Sequence, residues 1–206
     1  MKKILILSIF MIFSFNIVYG LNFSYGFKAG WNYSFVNGNG FDSKYPSYGY
    51  LAGIFENLKF NKLYSLQSGV FFSKKGGTTG EILNTETVNI DYGLSYIDLP
   101  FFLSLQPLTE KNWSLNANVG GYISYLIHED FQLENDQGVD EVDIDIENYD
   151  YGILIGLGAI FFRQYSLDIQ YQKGLKDIFL EYQNYDDKNY EMYNNTLSIV
   201  VGFYIL

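Results

Sequence analysis

The sequence predicts an all-β fold: an eight-stranded antiparallel up-and-down transmembrane β-barrel. Three observations carry it: an unbroken period-two pattern, a leader-like start, and connections that alternate short and long. From Leu21 to Phe35 the odd positions, Leu21, Phe23, Tyr25, Phe27, Ala29, Trp31, Tyr33 and Phe35, are apolar or aromatic, and every position between them is polar or glycine. Period two means a strand with opposite chemistry on its two faces. Soluble strands commonly run about five or six residues, whereas a tilted strand needs about nine to eleven to cross lipid. These 15 positions are long enough to span.

The segment before this strand reads as an export signal. Met1, Lys2 and Lys3 form a basic start, Ile4 to Phe15 is apolar, and Val18-Tyr19-Gly20 offers tolerated residues at a cleavage site. Residues 1–20 are therefore expected to be a cleaved signal peptide, and residues 21–206 one outer-membrane barrel domain. An uncleaved anchor helix is the alternative, but its apolar run falls short of the ~20 residues a spanning helix needs. The absence of cysteine excludes a disulfide framework.

Seven further segments repeat the pattern. Tyr48, Tyr50, Ala52 and Ile54 alternate with Gly49, Leu51, Gly53 and Phe55. Tyr64, Leu66, Val70 and Phe72 alternate with Ser65, Gln67, Gly69 and Ser73. The fourth strand sets Val88, Ile90, Tyr92, Leu94 and Tyr96 outward against Asn89, Asp91, Gly93 and Ser95. The fifth runs from Trp113 to Tyr125 with Ser114, Asn116, Asn118, Gly120 and Ser124 inward. Then come Tyr149 to Ala159 against Asp150, Gly152, Gly156 and Gly158, and Tyr165 to Tyr171 against Ser166, Asp168, Gln170 and Gln172. Leu197, Ile199, Val201, Phe203 and Ile205 close the series.

Connection lengths supply a second signal. Residues 36–47, 76–87, 128–148 and 174–195 read as long polar loops, and 57–62, 106–112 and 163–164 as short turns. Outer-membrane barrels put short turns in the periplasm and long loops outside, and an even strand number leaves both barrel ends on the periplasmic side. The expected location is the bacterial outer membrane.

A lipocalin-like soluble barrel would point its apolar face inward. Here that face is too bulky: the chain holds 18 Phe and 20 Tyr, and an eight-stranded interior is just wide enough for ordinary side chains. The glycine-bearing face fits the lumen. Tyr33, Phe35, Tyr48, Tyr50, Trp113, Tyr149 and Tyr165 are expected in the interface girdles. The net charge of −10, which becomes −12 when Lys2 and Lys3 leave with the leader, excludes a basic nucleic-acid footprint.

These residues resemble the outer-membrane β-barrel domain of PorT-like proteins, small barrels of Bacteroidota. The matching segments include Gly26-Phe27-Lys28-Ala29-Gly30-Trp31-Asn32, Leu66 through Gly76, Leu94-Ser95-Tyr96-Ile97-Asp98-Leu99-Pro100, Gly120-Gly121, Asp150-Tyr151-Gly152 through Gly158, and Tyr171-Gln172-Lys173-Gly174-Leu175. The resemblance implies fold and location, and one branch of the family implies a role beside a secretion apparatus. The C-terminus departs from barrels that end on an outward aromatic, since Leu206 shares parity with inward Gly202.

Several positions invite sharper readings. The outward parity of Tyr96 passes to Leu99, Phe101, Leu103 and Leu105, so a bulge is expected at Pro100, which lacks an N–H; a binding role for Asp98 is the alternative. Lys28, Asp91, Asp168, Gln67, Asn116, Asn118, Gln170 and Gln172 are assigned to a hydrogen-bonded lumen in which charges pair, rather than to a conduction path. His128, the only histidine, is the one candidate general base. It lies four strand residues from Ser124, roughly 13 Å at ~3.3 Å per residue, too far for proton transfer.

Residues 129–150 carry ten carboxylates and no Lys or Arg. Asp143, Asp145 and Glu147 alternate along one side, the hard oxygen donors a divalent cation favours, but the expectation is a solvated acidic loop. No catalytic residue, cofactor or metal is assigned. The expected role is a non-enzymatic structural or interaction one exercised through the external loops, with outer-membrane lipid around the barrel and an envelope or secretion protein as partner. A secretion accessory ranks next, and a rim-located enzyme third.

Overall fold

The structure, a computed structural model, describes residues 22–38, 43–83, 86–135, 138–141, 146–178 and 191–205. The expected leader, Leu206, Asp143 and Asp145 lie outside these residues. The strands are β1 (Asn22–Asn37), β2 (Ser43–Lys59), β3 (Tyr64–Leu83), β4 (Glu86–Thr109), β5 (Trp113–Asn135), β6 (Gly138–Glu141), β7 (Tyr149–Phe161), β8 (Tyr165–Gly174) and β9 (Tyr193–Ile205). Their order is β4-β3-β2-β1-β9-β8-β7-β5-β6, and a β4–β5 pairing closes the ring. β6 pairs only with residues 132–135 of β5. The wall is therefore a closed, all-antiparallel barrel of eight strands, with no free edge and no helix among the described residues.

Burial follows the alternation that set the fold. On β1, Phe27 is 57% and Trp31 69% exposed, while Lys28 and Asn32 beside them are buried. Ile54, Val119, Ile155, Leu157 and Ile199 are likewise exposed on other strands. An apolar band of this extent matches hydrocarbon rather than water.

β4 departs from the expected phase. Tyr92, Leu94 and Tyr96 point inward and are buried, whereas Asp91, expected in the lumen, is exposed. The strand keeps one phase from Tyr92 to Ser104, with Asp98, Phe102 and Ser104 also buried and Phe101 and Leu103 exposed, and shifts only between Leu105 and Leu108. Apolar side chains fill the inside of its outer half and coat the outside of its inner half. The apolar parity therefore changes along the sequence while the backbone does not.

No bulge forms at Pro100. β3 pairs Ser68 with Phe101 and Phe71 with Asp98, a constant register that skips the two positions between them. On the other side Pro100 faces Tyr122 in an unbroken ladder. The missing N–H thus opens a gap in one ladder without inserting a residue. The irregularities of the β4–β5 ladder lie elsewhere: in β5, where Ser95 pairs with His128 and Tyr96 with Leu126, leaving Ile127 as the extra residue, and in β4 between Leu105 and Leu108.

Residues 76–87, expected as a loop, are mostly strand. β3 and β4 pair as far as Leu83 and Glu86, helped by the β-branched Thr78, Thr79, Ile82, Thr87 and Val88. β3, β4 and β5 run 20, 24 and 23 residues, against 13, 10 and 13 for β7, β8 and β9. One side of the wall is therefore raised above the other. At the opposite end, residues 60–63, 110–112 and 162–164 make short connections.

Candidate functional site

The lumen is built in layers. In its outer half Lys75 of β3 contacts Asp98 of β4 at 3.0 Å, and Ser124 of β5 donates to the same carboxylate at 2.6 Å. The Lys75 ammonium lies 5.2 Å from the Tyr96 ring and 4.9 Å from that of Tyr122, a favourable cation–π arrangement. Beside it Asp150 accepts from the Tyr122 hydroxyl at 3.2 Å and from the Asn194 amide at 3.1 Å. Asn194 also donates to the Tyr96 hydroxyl.

The inner half repeats this chemistry. Lys28 of β1 pairs with Asp168 of β8 at 3.0 Å and reaches Gln67 at 3.3 Å. Asn116 and Ser166 donate to the two oxygens of Asp168. Between the layers, Asn32 donates to Ser73 and accepts from Ser198. Removing a carboxylate or ammonium from water costs several kcal/mol, so the Lys75–Asp98 and Lys28–Asp168 charges persist because they are paired and hydrogen-bonded, whereas Asp150 is held by hydrogen bonds to one oxygen alone.

Apolar clusters close both ends. Val36, Tyr92, Leu94, Tyr96, Leu126, Ile146, Ile178 and Met192 pack together at the outer mouth. Backbone hydrogen bonds from Glu147 to Ile178 and from Ile178 to Met192 tie these residues together at that mouth. Phe55, Phe71, Ile160 and Tyr204 pack together further in, against Leu51. Between the two polar layers, lined by Lys28, Gln67, Asp98 and Pro100, remains a cavity of about 20 Å³, room for one water.

Six of the expected lumen residues, Lys28, Asp168, Gln67, Asn116, Asn118 and Gln172, are buried there, and Gln170 is half-buried. Lys75 lay between the end of the third strand as read, at Ser73, and the loop that begins at residue 76, and Asn194 fell inside the 174–195 segment read as a loop. Continuing the inward parity of Ser65, Gln67, Gly69 and Ser73 by one more step would have found Lys75.

Ser124 and Lys75 resemble the elements of a serine–lysine nucleophile, but both are buried and both are committed to Asp98. His128 lies beyond the bulge and is exposed, so it forms no dyad with Ser124. Asp98 takes part in the ion pair with Lys75 and also lines the small cavity between the layers.

In the acidic connection, Glu147 accepts from Lys176 at 2.9 Å. That hydrogen bond holds the Lys176 ammonium above its ordinary pKa, and the ammonium lies 5.1 Å from the Tyr149 ring. Among the described residues no three His, Cys, Asp or Glu side chains gather into a cation site.

The profile of the outer membrane protein beta-barrel domain family matches residues 13–180. No curated protein matches the chain. Among solved structures, the chain is similar to Ail, the attachment invasion locus protein of Yersinia pestis, solved with the heparin analogue sucrose octasulfate. That match has 13% identity, covers 89% of this chain and 99% of that one, and has a TM-score of 0.43. Neisserial surface protein A matches at 12% identity over 88% and 98% of the two chains, TM-score 0.49. The outer membrane protein OprG from Pseudomonas aeruginosa matches at 9% over 90% and 95%, TM-score 0.46. At such identities no residue inherits a role from them.

Proposed function

The chain belongs to the outer membrane protein beta-barrel domain family, and from that premise we propose that it is a non-enzymatic structural or interaction protein of the bacterial outer membrane. It meets its partner through the external face. The observation that carries this reading is the sealed lumen, with two buried ion pairs between apolar clusters and room for about one water. A barrel whose inside is packed presents its outer surface and its loops for use.

The external face supports the same reading. The raised β3–β4 hairpin and the outer end of β5 extend on one side of the barrel. The exposed position of the only histidine and the burial of Ser124 support the absence of catalysis. Residues 1–20 are cleaved on export, and outer-membrane lipid surrounds the apolar band. The PorT-like resemblance makes an envelope protein, in the first instance a secretion component, the expected partner.

Two measurements test this. In planar bilayers the refolded protein should show no stable conductance steps; a reproducible open channel would refute the sealed lumen. Cross-linking in native membranes should capture an envelope protein through the external loops, and capture should be lost when residues 80–87 at the hairpin tip are replaced by a short turn. Capture that survives this change would place the contact elsewhere.

A further inference from the structure

The periplasmic mouth of the barrel holds a second feature that the sealed lumen does not use. A cavity of about 80 Å³ opens there, and its wall includes Ser24 of β1, Lys59 of β2, Lys111 of the β4–β5 turn, Ser114 of β5 and Arg163 of the β7–β8 turn. Three cations thus converge on one cavity from three separate elements, with Glu110 the one carboxylate on its wall. None of the three forms an ion pair among the described residues. Lys59 is half-buried and close enough to Arg163 for the two like charges to repel. The Ser24 side chain is 7% exposed, and its buried hydroxyl has no hydrogen-bond partner.

A buried polar atom without a partner costs free energy. So does holding cations together without a counter-charge. An anion with several acceptor oxygens would supply the counter-charge that the three cations lack. Arginine and lysine donate to such a group through charge-assisted hydrogen bonds, and arginine does so bidentately.

We propose that this cavity is an anion site for a phosphate group. Exposed Trp113, Phe161, Phe162 and Tyr165 ring the same end of the barrel, which places the site at the depth of lipid headgroups, where aromatic girdles lie. The phosphate comes either from a phospholipid of the periplasmic leaflet or from solution. The polarity of the molecule agrees with this: the connection after β5 is rich in carboxylates, and the cations of the cavity sit at the other end.

The test uses the full chain refolded in zwitterionic detergent, with inorganic phosphate as the probe and chloride holding ionic strength constant. Phosphate should raise the unfolding temperature of the wild type. Lys59→Gln/Arg163→Gln should weaken the apparent affinity roughly tenfold or more, and the charge-conserving Lys59→Arg/Arg163→Lys should keep most of it. Heat-modifiable gel mobility confirms that each variant is folded. No shift in the wild type, or an equal shift in the glutamine variant, overturns the proposal.

Native mass spectrometry from nanodiscs of mixed phosphatidylglycerol and phosphatidylcholine distinguishes the sources. Phosphatidylglycerol retained by the wild type and lost in the glutamine variant assigns a lipid headgroup. A phosphate shift without retained lipid assigns a soluble phosphate.

Discussion

Lys28 and Asp168 meet at 3.0 Å although their strands, β1 and β8, do not pair with each other. β9 runs between them, and the residue it places opposite Lys28 is Gly202. A Cβ there would lie 3.0 Å from the Lys28 Cγ and 2.5 Å from the Ser166 hydroxyl. Gly158 stands on the other side of the pair, and its Cβ would run into the Asp168 carboxylate. Two missing side chains thus let one ion pair reach across a strand.

Breaking the pair from one side should be costly. Lys28→Ala leaves Asp168 buried and unpaired, a loss of about 3 to 5 kcal/mol. The double variant Lys28→Met/Asp168→Leu should recover most of it, because apolar side chains of similar volume replace both charges. Gly202→Val should destabilise by displacing Lys28. Urea unfolding from lipid bilayers measures all three; a double variant no better than Lys28→Ala would show that the charges do more than satisfy each other.

The two faces should respond unequally to charge. Leu157 is 68% exposed on the lipid side, so Leu157→Arg should cost about 2 to 4 kcal/mol at mid-bilayer. Inside, Asn118→Ala should cost less, since the Asn118 amide nitrogen has no partner and its oxygen accepts only a 3.3 Å hydrogen bond from Asn116, which keeps Asp168 as a second acceptor. Ser124→Ala should cost more, about 1 to 3 kcal/mol, because it strips a 2.6 Å hydrogen bond from the buried Asp98. Equal tolerance on both faces would mean that the barrel is inside out.

Seven of the eight wall strands follow the face assignments read from sequence, because period two ties every side chain to its neighbours once one face is known. β4 failed for a physical reason. The rule that apolar faces lipid holds only where the lumen is polar, and Tyr92, Leu94 and Tyr96 belong to the apolar closure of the outer mouth. The ion pairs were legible only in part. Parity put Lys28 and Asp168 in the lumen, but which lysine meets which aspartate depends on register and on Gly202, and neither shows in a pattern of residue types.

The phase of β4 can be checked directly in a chain that has no native cysteine. Asp91→Cys should react with a membrane-impermeant maleimide on folded protein, because that position is exposed. Leu94→Cys should react only after unfolding, since Leu94 is 0% exposed. The reverse pattern would restore the opposite phase.

The β7–β8 turn carries local strain. Phe162 and Arg163 have φ of 53° and 61°, and Gln164 donates to the Phe161 carbonyl at 3.0 Å. Positive φ at both central residues is a type I′ hairpin turn, which favours Asn-Gly. Arg163→Gly should therefore stabilise the barrel by about 1 kcal/mol, the usual penalty of a left-handed residue bearing a side chain, while weakening the phosphate response. Loss of stability would mean that the Arg163 side chain contributes more than its backbone costs.

The acidic connection between β5 and β7 divides into a part that the barrel needs and a part that it does not. Ile146 is 6% exposed within the outer apolar cluster, and Glu147 is tied to Lys176 and, through its backbone, to Ile178. Residues 134–143 lie before this anchor, and within them the wall pairing ends with Glu134 opposite Asn89 while β6 pairs only with the tip of β5. Long surface segments contribute little closure entropy, so deleting 134–143 should leave heat-modifiable mobility and the unfolding temperature nearly unchanged. Ile146→Asp should lower that temperature clearly, by placing a carboxylate in an apolar cluster with no cation beside it. Calcium at millimolar concentration should shift neither protein, because the Glu147 carboxylate already holds Lys176; a calcium shift seen in the intact chain and lost in the deletion would instead reveal a cation site among the deleted carboxylates.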